Sequence, residues 1–190
     1  MKMKTEIEDY IESSSKAIIR SKDCSEILEK VITEIIKCMR TNNKVVLFGN
    51  GGSAADAQHI AAEFIGRFNF NRKSLPAISL TTDTSVITSL SNDFSYNSIF
   101  SRQCESLVNN GDVVIGISTS GNSKNVFEGI ATSKKLGAIT VGLLGKDGGI
   151  IKDIVDYSII PQLDETPKIQ EVHRVLTHVM CKIIEEKMCG

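Results

Sequence analysis

Five short, nearly unbroken apolar runs constrain this chain most. They lie at 45–48, 76–80, 113–117, 139–144 and 157–160. Runs of this kind suit strands buried on both faces, as in a parallel sheet. Stretches with helical spacing separate them, at 54–67, 97–108 and 123–136. Alternating strand and helix predicts an α/β fold, a doubly wound parallel five-stranded sheet. Helices flank it. Leu28, Val31, Ile32, Ile35, Ile36 and Met39 share one face, Asp23 or Ser25 would cap that helix, and Thr41-Asn42-Asn43 would end it. An earlier helix is expected over 7–20. A last helix is expected over 169–187, with Val172, Val175, Leu176, Val179, Met180, Ile183 and Ile184 as its stripe. No repeat or linker interrupts the chain, so 1–190 reads as one domain with a helical segment over about 1–42.

Charge and cysteine usage narrow the partners. The formal net charge is −1 over 190 residues, which gives nucleic acid or an anionic membrane nothing to bind globally. An anionic small molecule must then be held by local features. The first residues carry two lysines but no apolar core of a signal peptide. No stretch approaches the roughly 20 apolar residues of a membrane span. The five cysteines are scattered, without a Cys-x-x-Cys pair, which argues against a disulfide framework or a cysteine zinc site. Free thiols suit a reducing compartment, so a cytoplasmic protein is expected.

Four groups of residues carry possible chemistry. Ser118, Thr119, Ser120 and Ser123 lie between a strand and a helix. Hydroxyls and free N–H groups at a helix N-terminus make an anion site, and open α/β sheets bind ligands at this end of their strands. A plain serine cap is the bland alternative. Gly49-Asn50-Gly51-Gly52-Ser53 is a second strand-to-helix turn. A dinucleotide fold would want a third glycine where Ala54 stands and an acid about 20 residues on. His59 and Glu63 are four residues apart on an otherwise apolar helix, about 6 Å along its axis. They suit one metal, a base with its orienter, or a surface pair. Gln170, His173 and His178 lie on the last helix, with His178 nearly opposite the apolar stripe.

Together these segments resemble the sugar isomerase (SIS) domain family and, within it, the phosphoheptose isomerases. The resemblance covers nearly the whole chain. It rests on 49–53, on Asp56-Ala57-Gln58-His59 with Glu63 and Gly66-Arg67, and on Asn92-Asp93-Phe94 and Ile99-Phe100-Ser101-Arg102. Residues 116–123, 145–149 and Ile169-Gln170-Glu171 with His178 complete it. The resemblance implies isomerisation of sedoheptulose 7-phosphate to D-glycero-D-manno-heptose 7-phosphate, the first step toward nucleotide-activated heptose for lipopolysaccharide or capsule. It implies one Zn(2+) per subunit on His59, Glu63, Gln170 and His178, with Glu63 and His178 as the acid/base pair. It implies substrate contacts from Asn50, Gly51, Gly52, Ser53, Glu63, Asn92, Asp93, Ser118, Thr119, Ser120, Ser123 and Gln170. It also implies a cytoplasmic homotetramer with active sites at subunit interfaces. Two features depart from the family: Ala62 stands where some members carry a second glutamate, and the 164–168 stretch, where members vary, leaves open which residue there touches the sugar, with Thr166 one candidate.

One expectation is geometric. Gln170 and His178 are separated by about 12 Å of rise on one straight helix, too far to share a metal with bonds of about 2 Å. Either the helix begins between them or the two ligands come from different chains. Two rival functions stand beside the isomerase. One is a non-catalytic SIS protein of the type that binds a replication initiator, which need not keep Glu63 and His178. The other is a SIS enzyme acting on another sugar phosphate.

Overall fold

A computed structural model describes residues 2–189. The chain opens with α1 (Lys2–Arg20), a 3-10 turn (Ser21–Cys24) and α2 (Ser25–Arg40). Five strands follow: β1 (Val45–Gly49), β2 (Ala77–Ser79), β3 (Val113–Ser118), β4 (Ile139–Leu144) and β5 (Tyr157–Ile159). Between and after them lie α3 (Gly52–Ile65), α4 (Thr84–Asp93), α5 (Ser101–Leu107), α6 (Lys124–Lys135) and α7 (Thr166–Cys189). The sheet is parallel throughout, in the order β2-β1-β3-β4-β5. It is the doubly wound sheet with N-terminal helices and a C-terminal helix that the apolar runs predict.

The strands are buried on both faces because helices cover both. Val45, Leu47, Ile115, Val141 and Leu143 pack with α2, α3 and α7. Val46, Phe48, Val114 and Leu144 pack with α5 and α6 on the other side. Adjacent residues face opposite layers, as the pleat requires, which is why the runs show no polar alternation. The order reverses between β1 and β3: β1 leads through α3 to one face and β3 through α6 to the other. Their following loops diverge there and leave a crevice at the strands' carboxyl ends, the usual ligand position of such sheets.

Two local expectations change, and one helix appears that no sequence pattern announced. Neither Asp23 nor Ser25 caps α2. Cys24 holds the cap position without a side-chain bond, because the 3-10 turn runs into α2 with helical dihedrals. The helix expected over 97–108 is a 3-10 turn (Tyr96–Ser98) followed by α5. The helix α4 was not legible: none of its residues is buried, although Asp83 caps it by accepting from the Val86 N–H. At the other end of the chain, α1 buries only Ala17 and leaves Met3, Ile7, Tyr10, Ile11 and Ile19 exposed.

Candidate active site

The hydroxyl loop lies where the sheet order reverses. Ser118 ends β3, buried, with its Oγ 3.0 Å from Ser123 Oγ and 3.5 Å from Ser120 Oγ. Ser123 holds the N-cap position of α6 yet makes no capping bond with its side chain. Its hydroxyl belongs to the cluster instead. Ser120 is held by its neighbour: the Asn122 N–H donates to its Oγ and the Asn122 amide to its carbonyl. Three serine hydroxyls thus gather at the N-terminus of a 12-residue helix, with half-buried Thr119 beside them. Such a group can hold a phosphate without a cation.

Across the crevice runs the loop after β1. Gly51 has φ +55° and open space where a Cβ would lie, and a Cβ on Gly52 would stand 2.6 Å from Gln170 Nε2. Only glycine readily takes that dihedral at Gly51, and any side chain at Gly52 would have to push the Gln170 amide aside. Gln170, near the start of α7, therefore belongs with this loop. Around them lies a cavity of about 400 Å³, lined also by Asp56 and Arg174. Asn50 exchanges two 2.8 Å hydrogen bonds with Asn125, and the Tyr96 hydroxyl donates to Asn50 Oδ1 at 2.9 Å. Asn92 and Asp93, in the last turn of α4, bond each other at 2.8 Å and are exposed. Their link to the crevice is Tyr96, three residues past Asp93.

The acid–base candidates sit elsewhere on α3. His59 Nε2 lies 2.9 Å from His178 Nε2 and 3.7 Å from Glu63 Oε1, where α3 packs against α7. One ring must donate to the other, so at least one is neutral. Burial, then His59 and Arg174, lower the His178 pKa from its ordinary value. Glu63 is ten residues beyond Ser53, about 15 Å along the helix. The residues of one chain thus form two groups: Asn50 to Ser53, the hydroxyl loop and Gln170 in one, and His59, Glu63 and His178 in the other.

Zinc fits the second group in donor type but not in closure. Imidazole and carboxylate are zinc ligands, but the two ring nitrogens, 2.9 Å apart, stand at hydrogen-bond distance from each other. Among the described residues no three His, Cys, Asp or Glu side chains are placed to hold a metal ion. Gln170 cannot complete the set within one chain. The helix α7 is unbroken from Thr166 to Cys189, so the bent entry segment that would have brought Gln170 to His178 does not exist.

Two more residues of α7 fix its place. Arg174 pairs with buried Asp56 of α3, between the two groups. His173 is fully buried, with its Nε2 2.8 Å from the Leu144 carbonyl oxygen at the end of β4. Burial pushes its pKa down to about 4, so the ring is neutral and donates there. Sequence reasoning missed Asn125 and Tyr96. Asn125 stands two residues past the hydroxyl motif, a place that signals an amide near the ligand loop; Tyr96 carried no signal. A larger groove of about 590 Å³ lies away from both groups, between α2 and α7, lined by Leu28, Ile32, Ile36, Val179 and Ile183 among others.

Comparison with known proteins gives a consistent result. The profile of the SIS domain matches residues 9–145. The phosphoheptose isomerase of Clostridium acetobutylicum is 46% identical over 191 residues, spanning 99% of this chain and 97% of that protein. The solved phosphoheptose isomerase of Neisseria gonorrhoeae is 35% identical, with a TM-score of 0.92 over 97% of this chain and 99% of that one. That of Francisella tularensis is 30% identical, with a TM-score of 0.94 over 98% and 100%.

Proposed function

Because this chain belongs to the SIS domain family and, within it, to the phosphoheptose isomerases, we propose that it isomerises sedoheptulose 7-phosphate to D-glycero-D-manno-heptose 7-phosphate. The observation that carries the reading is the pair of loops at the switch point. The hydroxyls of 118–123 and the Asn50-Gly51-Gly52-Ser53 loop follow neighbouring strands where the sheet order reverses, joined by the Asn50–Asn125 bonds, in a chain that matches a phosphoheptose isomerase over 99% of its length. Ser118, Thr119, Ser120 and Ser123 hold the phosphate, while Asn50, Gly51, Gly52, Ser53, Gln170 and, through the Tyr96 segment, Asn92 and Asp93 line the sugar.

The chemistry needs one group to take the C1 proton of the ketose while another protonates the C2 carbonyl oxygen. That gives an enediol. Return of a proton to C2, with loss of the O1 proton, gives the aldose. Glu63 and His178 supply these transfers: an ionised carboxylate only accepts, whereas a neutral imidazole donates or accepts. Their contact through His59 disfavours the non-catalytic alternative, which has no use for such a pair.

Zinc, one per subunit, would be held by His59, Glu63 and His178 of one copy with Gln170 of a second, since one chain cannot close the set, and loosely enough for Glu63 still to take a proton. Bound there, a divalent metal stabilises negative charge on the substrate oxygens. Substrate contact by Glu63 then also comes from the neighbouring copy. The exposed apolar residues of α1 and the groove between α2 and α7 support self-association, proposed here as a homotetramer, because oligomers bury such surface symmetrically. No helix among the described residues is long and apolar enough to cross a membrane. The proposed setting is the cytoplasm, at the first step of heptose supply for lipopolysaccharide or capsule. Incubating the purified protein with sedoheptulose 7-phosphate tests the reading. Aldoheptose 7-phosphate should form, and its absence, with turnover of another sugar phosphate, would move the chain to a different SIS activity.

A further inference from the structure

The Asn50 side chain stands where three segments meet, and almost all of its hydrogen-bonding capacity is used. Its Oδ1 accepts from Asn125 Nδ2 at 2.8 Å and from the Tyr96 hydroxyl at 2.9 Å. Its Nδ2 donates to Asn125 Oδ1 at 2.8 Å. A carboxamide has two acceptor lone pairs and two N–H donors, so one N–H remains. A reciprocal amide pair alone could turn over as a unit, exchanging every donor for an acceptor. One bond prevents this. The Val126 backbone N–H donates to Asn125 Oδ1 at 2.9 Å, and a backbone N–H can only donate. It fixes Asn125, Asn125 fixes Asn50, and the Tyr96 hydroxyl is left to act as donor. Asn125 is 3% exposed, so an unmatched amide there would be costly.

We infer that Asn125 and Tyr96 are positioning residues, Asn125 setting the orientation of the Asn50 carboxamide and Tyr96 holding it in place, so that it meets the sugar only as an N–H donor. The group it meets must then be an acceptor, a hydroxyl or carbonyl oxygen. The inference rests on the proposed isomerase reading for the identity of that group. The same three side chains form one network that links the Asn50 loop, the start of α6 beside the phosphate loop, and the segment after Asn92 and Asp93.

The test combines kinetics with crystallography. Tyr96→Phe, Asn125→Asp and Asn125→Ala are each made alone and with Asn50→Ala. Each single variant should lower kcat/KM for sedoheptulose 7-phosphate by about tenfold, the equivalent of one hydrogen bond. In the Asn50→Ala background none should add a further loss, because all act through Asn50. The same fold-loss with and without Asn50 would reduce them to structural residues and overturn the inference. Tyr96→Phe, which removes only one exposed hydroxyl, decides the matter if the Asn125 variants do not fold. A crystal structure of Asn125→Ala gives a reading independent of activity. The Asn50 carboxamide should be turned or split between orientations, and an unmoved amide would overturn the inference. If wild-type protein leaves sedoheptulose 7-phosphate unchanged, the substrate assignment fails while that crystallographic comparison still judges the lock.

Discussion

Glu63 lies 3.7 Å from a histidine nitrogen that itself lies 2.9 Å from His178, and this short relay carries the first predictions. Glu63→Gln keeps the shape and removes the base. It should lower kcat by about a hundredfold or more while KM changes little, since positioned acid–base groups supply at least that much. Steady-state rates decide it, and near-normal turnover would leave Glu63 a structural residue. Replacing Ser118 and Ser120 together with Ala should act on the other parameter, raising KM for the phosphate ester with a smaller effect on kcat. An unchanged KM would remove the hydroxyl loop from phosphate binding. Both sets of residues were legible, because polar side chains on buried or apolar elements need a reason to be there. Asn125 and Tyr96 were less so, because their importance lies in a contact between residues 46 and 75 positions apart, which no local pattern encodes.

Among the elements, α7 carries the most, and two of its buried groups give it a pH signature. Burial works to raise the Glu185 pKa, but the N–H groups of Phe68, Asn69 and Phe70 and the Arg72 side chain outweigh it and hold the carboxyl down at about 2. Its stabilising effect is complete above the ordinary value of 4.5 and is lost as pH falls toward 2. His173, pushed down to about 4, stays neutral in the folded chain while the unfolded chain takes up a proton below 6.5, so stability falls between 6.5 and about 4. In melting curves against pH, His173→Gln should flatten the upper part of the decline and Glu185→Gln the lower part. Identical profiles for wild type and both variants would exclude these groups. The Arg72–Glu185 pair is almost fully buried, and Arg72 also donates to the carbonyls of Glu63 and Phe64 at the end of α3. Arg72→Met should therefore destabilise the fold by about 3–5 kcal/mol in urea, the cost of leaving one buried charge unpaired. A loss below about 1 kcal/mol would make the pair dispensable, as exposed pairs are. Apolar periodicity announced α7 and the strands, but this clamp and α4 escaped it: one joins distant polar residues, and the other buries no side chain.

For the molecule as a whole, the decisive fact is that one chain separates its two groups of candidate site residues. Ser53 and Glu63 are about 15 Å apart along α3, and Gln170 and His178 about 12 Å apart along α7. Both helices are continuous, so bending cannot close these distances. A second copy can, if it sets its His59, Glu63 and His178 against the Gln170 and glycine loop of the first. The sequence already excluded one metal for Gln170 and His178 on a straight helix. It could not say which residues travel together, because the pairing of His178 with His59 is set by how α7 crosses α3. The arrangement predicts which inactive variants rescue each other. In a mixed pair of Glu63→Gln and Gln170→Ala copies, one site receives both defects and the other receives neither. Equal random mixing should then restore about a quarter of wild-type activity, since half of the pairs are mixed and half of their sites intact. Glu63→Gln with His178→Ala should restore none, because both residues come from the same copy. Turnover is measured after dissociation and reassembly, with exchange of subunits verified by mass. Rescue by the second mixture and not the first would show that Glu63 and His178 reach one site from different chains.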